Sequence, residues 1–343
     1  MAAGDIVHNT SICFKRYLTN EQPTESDMEI FAGELTLSLA EGTRDVLVRN
    51  LYLSPDPYMR NRMREIYNSY LPPFEPGKPI TGFGVSKVIL SNHPDFEVND
   101  VVAGIITWEK YSVIKDGSGL RNVSSIDVPL SYHIGILGLP GLTAYAGFFN
   151  ICNPRKGENV FVSAAAGAVG QLVGQFAKLT GCYVVGSAGT DEKVELLKVE
   201  LGYDDAFNYK KEPDLTVALK RYFPEGIDIY FENVGGKMLE AVLYNLSNHA
   251  RIAVCGMISQ YVSGCGEPIY NLSQLTIRRA KMQGFLMSDY LHLHEEFTQY
   301  ILCHLKKNNI VYIEDVIDGL ENAPNAFMRL FQGKNVGKQV VRL

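Results

Sequence analysis

Paired cysteines are missing from this sequence. Cys13, Cys152, Cys182, Cys255, Cys265 and Cys303 are scattered through 343 residues, and no two form a Cys-x-x-Cys pair. Scatter of this kind suits reduced thiols in a cytoplasmic protein and argues against a disulfide framework. It also argues against a four-cysteine zinc lobe, whose ligands come clustered, so no metal site is expected. His-Glu-x-x-His and Gly-x-Ser-x-Gly are both absent. A basic field is lacking as well: 32 Lys and Arg face 38 Asp and Glu, for a net charge of -6. Nucleic acid and anionic membranes are therefore not expected as partners. No apolar run approaches the roughly 20 residues of a membrane helix. The first ten residues show no basic region followed by an apolar stretch, so no signal peptide is expected.

What remains is a globular profile, 46% apolar and 20% charged. The length calls for one large or two medium domains. Up to about residue 130 the chain reads as short strands between turns: Val46–Tyr52, Val85–Leu90 opened by Gly82 and Gly84, Asp100–Ile106 and Tyr111–Ile114. Prolines 55, 57, 72, 73, 76 and 79 mark the loop between the first two. Beyond Leu130 strands alternate with helices. Asn159–Ser163, Cys182–Gly186, Ala206–Tyr209, Ile227–Glu232, Arg251–Cys255 and Lys281–Met287 read as strands. Val169–Leu179, Thr190–Glu200, Leu215–Tyr222, Met238–Leu246 and His294–Lys307 read as helices. Repeated βαβ units imply a parallel sheet. The fold class is therefore α/β, a doubly wound parallel sheet plus a β domain. The tail around Lys338–Val341 is expected to return to that β domain as a strand.

The strongest local signal is Ala164-Ala165-Ala166-Gly167-Ala168-Val169-Gly170, set between a strand and a helix. Gly167 lets the backbone approach a pyrophosphate, and Gly170 lets the helix pack on the strand. The helix N-terminus offers free N–H groups and partial positive charge to the phosphates. A tight strand-to-helix turn needing only small residues is the competing explanation. The second strand ends in Gly186-Ser187-Ala188-Gly189, without the acid that NAD enzymes place there. Asp191 and Glu192 fit better as first-turn residues of a helix capped by Thr190, and Lys193 could pair a 2′-phosphate. Spacing alone thus leans modestly to NADP. Tyr111-x-x-x-Lys115 matches the tyrosine–lysine pair of short-chain dehydrogenases. It precedes the glycine loop on strand-like sequence and is read as chance.

Several motifs together resemble one family. They are Asn50–Met59, Ala164–Gly170, Phe207–Lys210, Phe231–Gly236, Cys255–Tyr261 and Gly333–Lys338, in the same order over nearly the whole chain. The sequence resembles the zinc-free medium-chain dehydrogenases/reductases of the leukotriene B4 dehydrogenase/prostaglandin reductase-like branch, and among them is similar to plant NADPH-dependent alkenal or double-bond reductases. The resemblance implies a GroES-like substrate domain (1–129), a Rossmann NADP-binding domain (130–300) and a return to the first domain (301–343). It also implies a homodimer joined through the Rossmann sheets.

Residue by residue, it puts the pyrophosphate on Ala166, Gly167, Ala168, Val169 and Gly170. The 2′-phosphate falls on Lys193 and Tyr209, with Gly189 leaving room. The nicotinamide side falls on Asn233, Cys255, Tyr261 and the segment Phe285, Leu286, Met287, and Asn335 supplies a late cofactor contact. NADPH becomes the expected cofactor and a small enal or enone the expected substrate. Tyr261 is the expected catalytic residue, holding the substrate carbonyl oxygen, while Tyr52 and Phe83 line the substrate pocket. Phe83 departs from the family's common Gly-Tyr-Gly and removes a hydroxyl there. The loop from Val262 to Tyr270 is expected to border the pocket. A zinc-free quinone reductase and a non-catalytic dinucleotide-binding protein remain as alternatives.

Overall fold

The computed structural model describes residues 4–19, 21–261 and 266–343. They divide into two compact units. One takes the chain up to Gly135 together with Asp315–Lys334 and Gln339–Leu343. The other takes Ile136–Glu314 and Asn335–Lys338.

The first unit is built of antiparallel strands. A hairpin of β1 (Ile6–Phe14) and β2 (Met28–Thr36) stands beside a larger sheet. That sheet contains β3 (Val46–Leu53), β4 (Thr81–Ser91), β5 (Val101–Thr107), β6 (Tyr111–Ile114) and β7 (Arg121–Asn122). The late strands Glu314–Asp318 and Lys338–Arg342 complete it on the far side of β3, with Val341 opposite Leu53, so the expected strand return of the tail is realised. β4 contains Gly82-Phe83-Gly84 and so begins at Thr81, ahead of the run expected from Val85. A β-carbon on Gly84 would lie 2.1 Å from Ile106 Cδ1 and 2.8 Å from the Tyr52 carbonyl oxygen, so only glycine lets β3, β4 and β5 close up here. Ile12, Phe14, Met59, Trp108, Phe327 and Val341 belong to one fully buried core.

The second unit is a parallel sheet with helices between its strands. β8 (Asn159–Val162), β9 (Tyr183–Ala188), β10 (Asp205–Asn208), β11 (Ile227–Glu232), β12 (Leu246–Val254) and β13 (Lys281–Gly284) stand in the order β10-β9-β8-β11-β12-β13. Every pairing is parallel. The chain runs outward from β8 in one direction and from β11 in the other. The topological switch point therefore lies between the C-terminal ends of β8 and β11, the place where doubly wound sheets bind ligands.

Four helices match the expected crossovers: Gly170–Thr180, Asp191–Val199, Leu215–Tyr222 and Gly236–Tyr244. One strand is shorter than its apolar run suggests. β13 stops at Gly284, opposite Val254, because its neighbour β12 ends there, and the chain passes into a 3₁₀ helix at Met287–Leu293. A helix at Leu139–Tyr145 and a π-helical turn at Ala146–Cys152 had no sequence signal. Gly141 and Gly147 hide them. A β-carbon at 141 would lie 1.9 Å from the Ile136 carbonyl oxygen, and one at 147 would lie 2.5 Å from Phe285 Cζ. These glycines serve close packing rather than a turn.

Candidate cofactor and active site

The glycine loop leaves β8 at Val162, crosses at Ala164 and enters the helix at Gly170. Ala164 adopts φ +47°, a left-handed backbone that alanine rarely takes. Two hydrogen bonds hold the turn: Ala165 N–H donates to Ser187 O at 3.0 Å, and Gly167 N–H to Ala164 O at 3.0 Å. A β-carbon on Gly170 would strike three backbone atoms, Ala164 O at 2.6 Å, Ala165 Cα at 2.7 Å and Ala165 O at 2.8 Å. A β-carbon on Gly167 would meet only Ala164 O, at 3.2 Å. Gly170 is thus required by the protein's own packing, whereas the space before Gly167 is open. The following helix has no side-chain cap at Val169. Ala166 is buried, and Gly167, Ala168 and Val169 are partly exposed.

The tail segment Asn335–Lys338 backs this loop. Gly337 N–H donates to Ala166 O at 2.9 Å, and Gly167 and Gly337 form a parallel bridge. Asn335 Nδ2 donates to Gly337 O at 2.9 Å, which puts Asn335 in the turn beside Gly167. Two buried glutamines on the loop's helix anchor the approaching chain. Gln171 bonds the backbone N–H and carbonyl of Ile313, and Gln175 those of Val311. Sequence reasoning passed over both, since a glutamine in a helix carries no motif.

At the end of β9, Gly189, Tyr209 and Lys210 come together. A β-carbon on Gly189 would lie 3.4 Å from Lys210 Cε, Tyr209 Cε1 and the Tyr209 hydroxyl. Lys193 is half-buried one turn into a helix capped by the Thr190 hydroxyl, which accepts its N–H at 3.3 Å. Asp191 is occupied by Lys211 and by Asn208 Nδ2. The hydrogen bond from Lys211, then that from Asn208, holds its carboxyl below the usual range. An acid tied to a lysine is poorly placed to take the ribose hydroxyls of NAD. Lysines and a tyrosine at a strand end suit a phosphate. The open loop, the uncapped helix and this basic strand end together fit a dinucleotide bearing a 2′-phosphate. Lys210 is the residue missed here; it stands next to Tyr209 in a motif that the sequence already offered.

Across the switch point, β11 ends at Glu232. Asn233 Nδ2 donates to Ser163 O at 2.8 Å, and Asn233 N–H to Ser163 Oγ at 3.0 Å. Cys255 N–H donates to Glu232 O at 3.0 Å. Cys255 is only partly enclosed by area, yet burial first and Glu232 second push its thiol up to about 12, which keeps it protonated and unreactive. Tyr261 ends the one-turn helix Ile258–Tyr261, and its hydroxyl oxygen accepts Met257 N–H at 3.1 Å. Phe285, Leu286 and Met287 are partly exposed, with the Phe285 ring edge-on to Phe231 at 6.3 Å. A core role would have buried them.

In the first unit, Tyr52 and Phe83 lie on adjacent strands and pack against the same cluster of Val85, Ala103, Val123, Ile134 and Val340. Phe83 O accepts Ser54 N–H at 2.9 Å. Residues 262–265, the first part of the loop expected to border the pocket, lie outside the described residues. Among the described residues no cluster of three His, Cys, Asp or Glu side chains could hold a metal ion. None of their helices is long and apolar enough to cross a membrane.

Two family profiles match the chain. One described as an N-terminal domain of oxidoreductase covers residues 12–123, and one described as a zinc-binding dehydrogenase covers residues 168–305. A 2-alkenal reductase (NADP(+)-dependent) of Nicotiana tabacum is 58% identical, over 98% of this chain and 97% of its own. A (+)-pulegone reductase of Mentha piperita is 50% identical, over 98% of both chains. Among solved structures, CurA of Vibrio vulnificus in complex with NADPH matches with a TM-score of 0.89 and 40% identity, over 97% of this chain and 98% of that one.

Proposed function

Since the chain belongs to the medium-chain dehydrogenase/reductase family, in its prostaglandin reductase-like branch, we propose that it reduces the carbon–carbon double bond of α,β-unsaturated aldehydes and ketones with NADPH. The Nicotiana tabacum relative is named for 2-alkenals and the Mentha piperita relative for pulegone. Phenylpropenyl aldehydes and benzalacetone-type enones belong to the same substrate class.

NADPH, when bound, supplies a hydride to the β-carbon. Ala166–Gly170 hold its pyrophosphate with backbone N–H groups, assisted by Asn335. Lys193, Tyr209 and the space at Gly189 hold the 2′-phosphate. Asn233, Cys255, Tyr261 and Phe285–Met287 flank the nicotinamide end. Tyr52 and Phe83 offer an aromatic wall to the substrate. As the β-carbon gains its new C–H bond, the π electrons of the alkene move toward the carbonyl oxygen, giving an enolate. Tyr261 O–H donates to that oxygen and stabilises the charge. The α-carbon then takes a proton, from solvent or through a relay, which restores the carbonyl and leaves the saturated product.

One observation carries the role of Tyr261: its hydroxyl oxygen accepts the backbone N–H of Met257. That bond holds the phenol in place, and a hydrogen bond received by an O–H group strengthens the one it donates. Loss of one oxyanion donor typically lowers kcat about 100-fold or more. The test is the Tyr261→Phe variant, with NADPH oxidation followed on an enal, an enone and a quinone and the product identified. A saturated aldehyde from the wild type and a large kcat loss in the variant are expected. An allylic alcohol, or a marked preference for the quinone, would sink the alkene reading; full activity of the variant would sink the role of Tyr261.

The reading extends to assembly and location. A homodimer joined through the Rossmann sheets has an available edge in β13, the last strand of its sheet. Light scattering at assay concentration tests it, with a single-chain mass as the opposing result. Cytoplasmic location suits the free cysteines Cys13, Cys152, Cys182, Cys255 and Cys303. Microscopy of a fluorescent fusion tests it, and exclusion from the cytoplasm would refute it.

A further inference from the structure

Glu232 is completely buried in the second unit, and among the described residues no cation pairs with it. Burial holds its carboxyl above the usual range, against the hydrogen bonds from Gly235 and Val234. One oxygen, Oε2, has no hydrogen-bond partner among the described residues. The other, Oε1, is crowded: Val234 N–H donates to it at 2.6 Å, Gly235 N–H at 2.9 Å and the Tyr230 hydroxyl at 2.8 Å, with the Ser163 hydroxyl at 3.4 Å. An apolar residue would be easier to bury in this place. What an apolar residue cannot supply is an acceptor for the two N–H groups of the turn after β11. Gly235, which caps the helix beyond it, has no side chain to do so.

The same turn holds the segment that carries Tyr261. Glu232 O accepts both Cys255 N–H at 3.0 Å and Gly256 N–H at 3.2 Å. Asn233 O accepts Ile258 N–H at 3.1 Å, and Val234 O accepts Ser259 N–H at 3.1 Å and Ser259 Oγ at 2.6 Å. The first N–H groups of the one-turn helix Ile258–Tyr261 thus end on carbonyls of residues 233 and 234. A four-residue helix has too few internal bonds to fix itself in water, so its place is set by what holds its first turn. We infer that Glu232 is a positioning residue for Tyr261: its buried Oε1 fixes the turn 233–235, and the turn's carbonyls fix the short helix that presents the Tyr261 hydroxyl. This rests on the proposed role of Tyr261 in the reduction.

The test is a mutant cycle on the full-length protein, with kcat, KM for an enal and NADPH affinity measured for each variant. Glu232→Leu removes the acceptor and should lower kcat about 10- to 100-fold, the range expected when a reacting group is displaced by about an ångström. NADPH affinity should fall far less, because the phosphate contacts lie elsewhere. Glu232→Gln keeps a carbonyl oxygen for the same donors and should recover most of the loss. Ser259→Ala, at an exposed position that leaves the core intact, removes one link between turn and helix and should lower kcat by a smaller factor, about threefold by loss of one neutral hydrogen bond. This variant keeps the test open if Glu232→Leu fails to fold. In a Tyr261→Phe background neither Glu232→Leu nor Ser259→Ala should cost much more. Equal fold-losses in both backgrounds would make Glu232 a purely structural acid and overturn the inference while leaving the role of Tyr261 intact. No effect of Tyr261→Phe alone would overturn both.

Discussion

The two glycines of the cofactor loop should respond differently to the same added methyl group. At Gly170 the new β-carbon would lie 2.6–2.8 Å from three backbone atoms of residues 164 and 165. Backbone cannot swing aside as a side chain can, so the loop or the helix must shift. Overpacking of this kind costs about 1–3 kcal/mol, and Gly170→Ala should destabilise the ligand-free protein by that amount. At Gly167 the only contact is Ala164 O at 3.2 Å. Ligand-free Gly167→Ala should unfold within about 0.5 kcal/mol of wild type, helped by the lower entropy of its unfolded chain. The methyl group would instead occupy the approach to the loop and push a phosphate off its N–H donors. A charged hydrogen bond lost there is worth about 2 kcal/mol, which is roughly a 30-fold weaker dissociation constant. At NADPH equal to about 100 times the wild-type constant, ligand stabilisation would fall from about 2.7 to about 0.9 kcal/mol. Denaturant unfolding with and without NADPH, plus a fluorescence titration, measures both quantities. An unchanged NADPH response in Gly167→Ala would refute the loop as the pyrophosphate site. Equal destabilisation of the two ligand-free variants would refute the steric argument.

Lys193→Ala should raise the KM for NADPH about tenfold or more, since a charge-assisted contact to phosphate is worth about 1.5–3 kcal/mol, and leave NADH kinetics unchanged; equal losses on both cofactors would count against a 2′-phosphate contact. Ala164→Gly should hold or raise thermal stability by up to about 1 kcal/mol, because glycine takes φ +47° without the clash that alanine meets; a clear loss would mean the left-handed turn stores no strain. His133 is 2% exposed, and burial first and Arg121 second lower its imidazole to about 4. A base depressed below its unfolded value of about 6.5 favours folding fully above that pH, and the contribution is lost as pH falls toward 4. Between pH 7.5 and 5 the wild type should lose about 2 kcal/mol more than His133→Leu in urea unfolding; parallel profiles would show that His133 is not the group that titrates.

Much of the second unit was legible because its signals are local. The apolar runs at β9 and β11 sit between crossover helices, and periodicity separates the two types of element. Leu215–Tyr222 and Ile227–Glu232 fall on the residues expected. The hairpin of β1 and β2 had no comparable signal. β2 is exposed over most of its length and β1 ends in four consecutive buried residues, Ser11–Phe14, so neither strand shows the clean alternation that marks a half-buried strand. The Gly141 and Gly147 helices were hidden for the opposite reason: they are so closely packed that glycine replaces the residues that would announce a helix.

By itself the sequence determined the strand–loop–helix that begins at Ala164, the place of Lys193 behind a Thr190 cap, and the series of motifs that identifies the family. These depend on neighbours a few residues apart, where backbone geometry leaves few choices. Only the tertiary structure decided which distant groups share a neighbourhood. It brought Gly337 onto Ala166 across 171 residues of chain, turned Asp191 toward Lys211, and made Glu232 the acceptor at the base of the Tyr261 segment. The close donors to the Glu232 carboxylate, from Tyr230, Val234 and Gly235, are its neighbours in sequence, but the N–H groups received by the carbonyls of residues 232–234 come from Cys255, Gly256, Ile258 and Ser259, and no local pattern encodes that meeting.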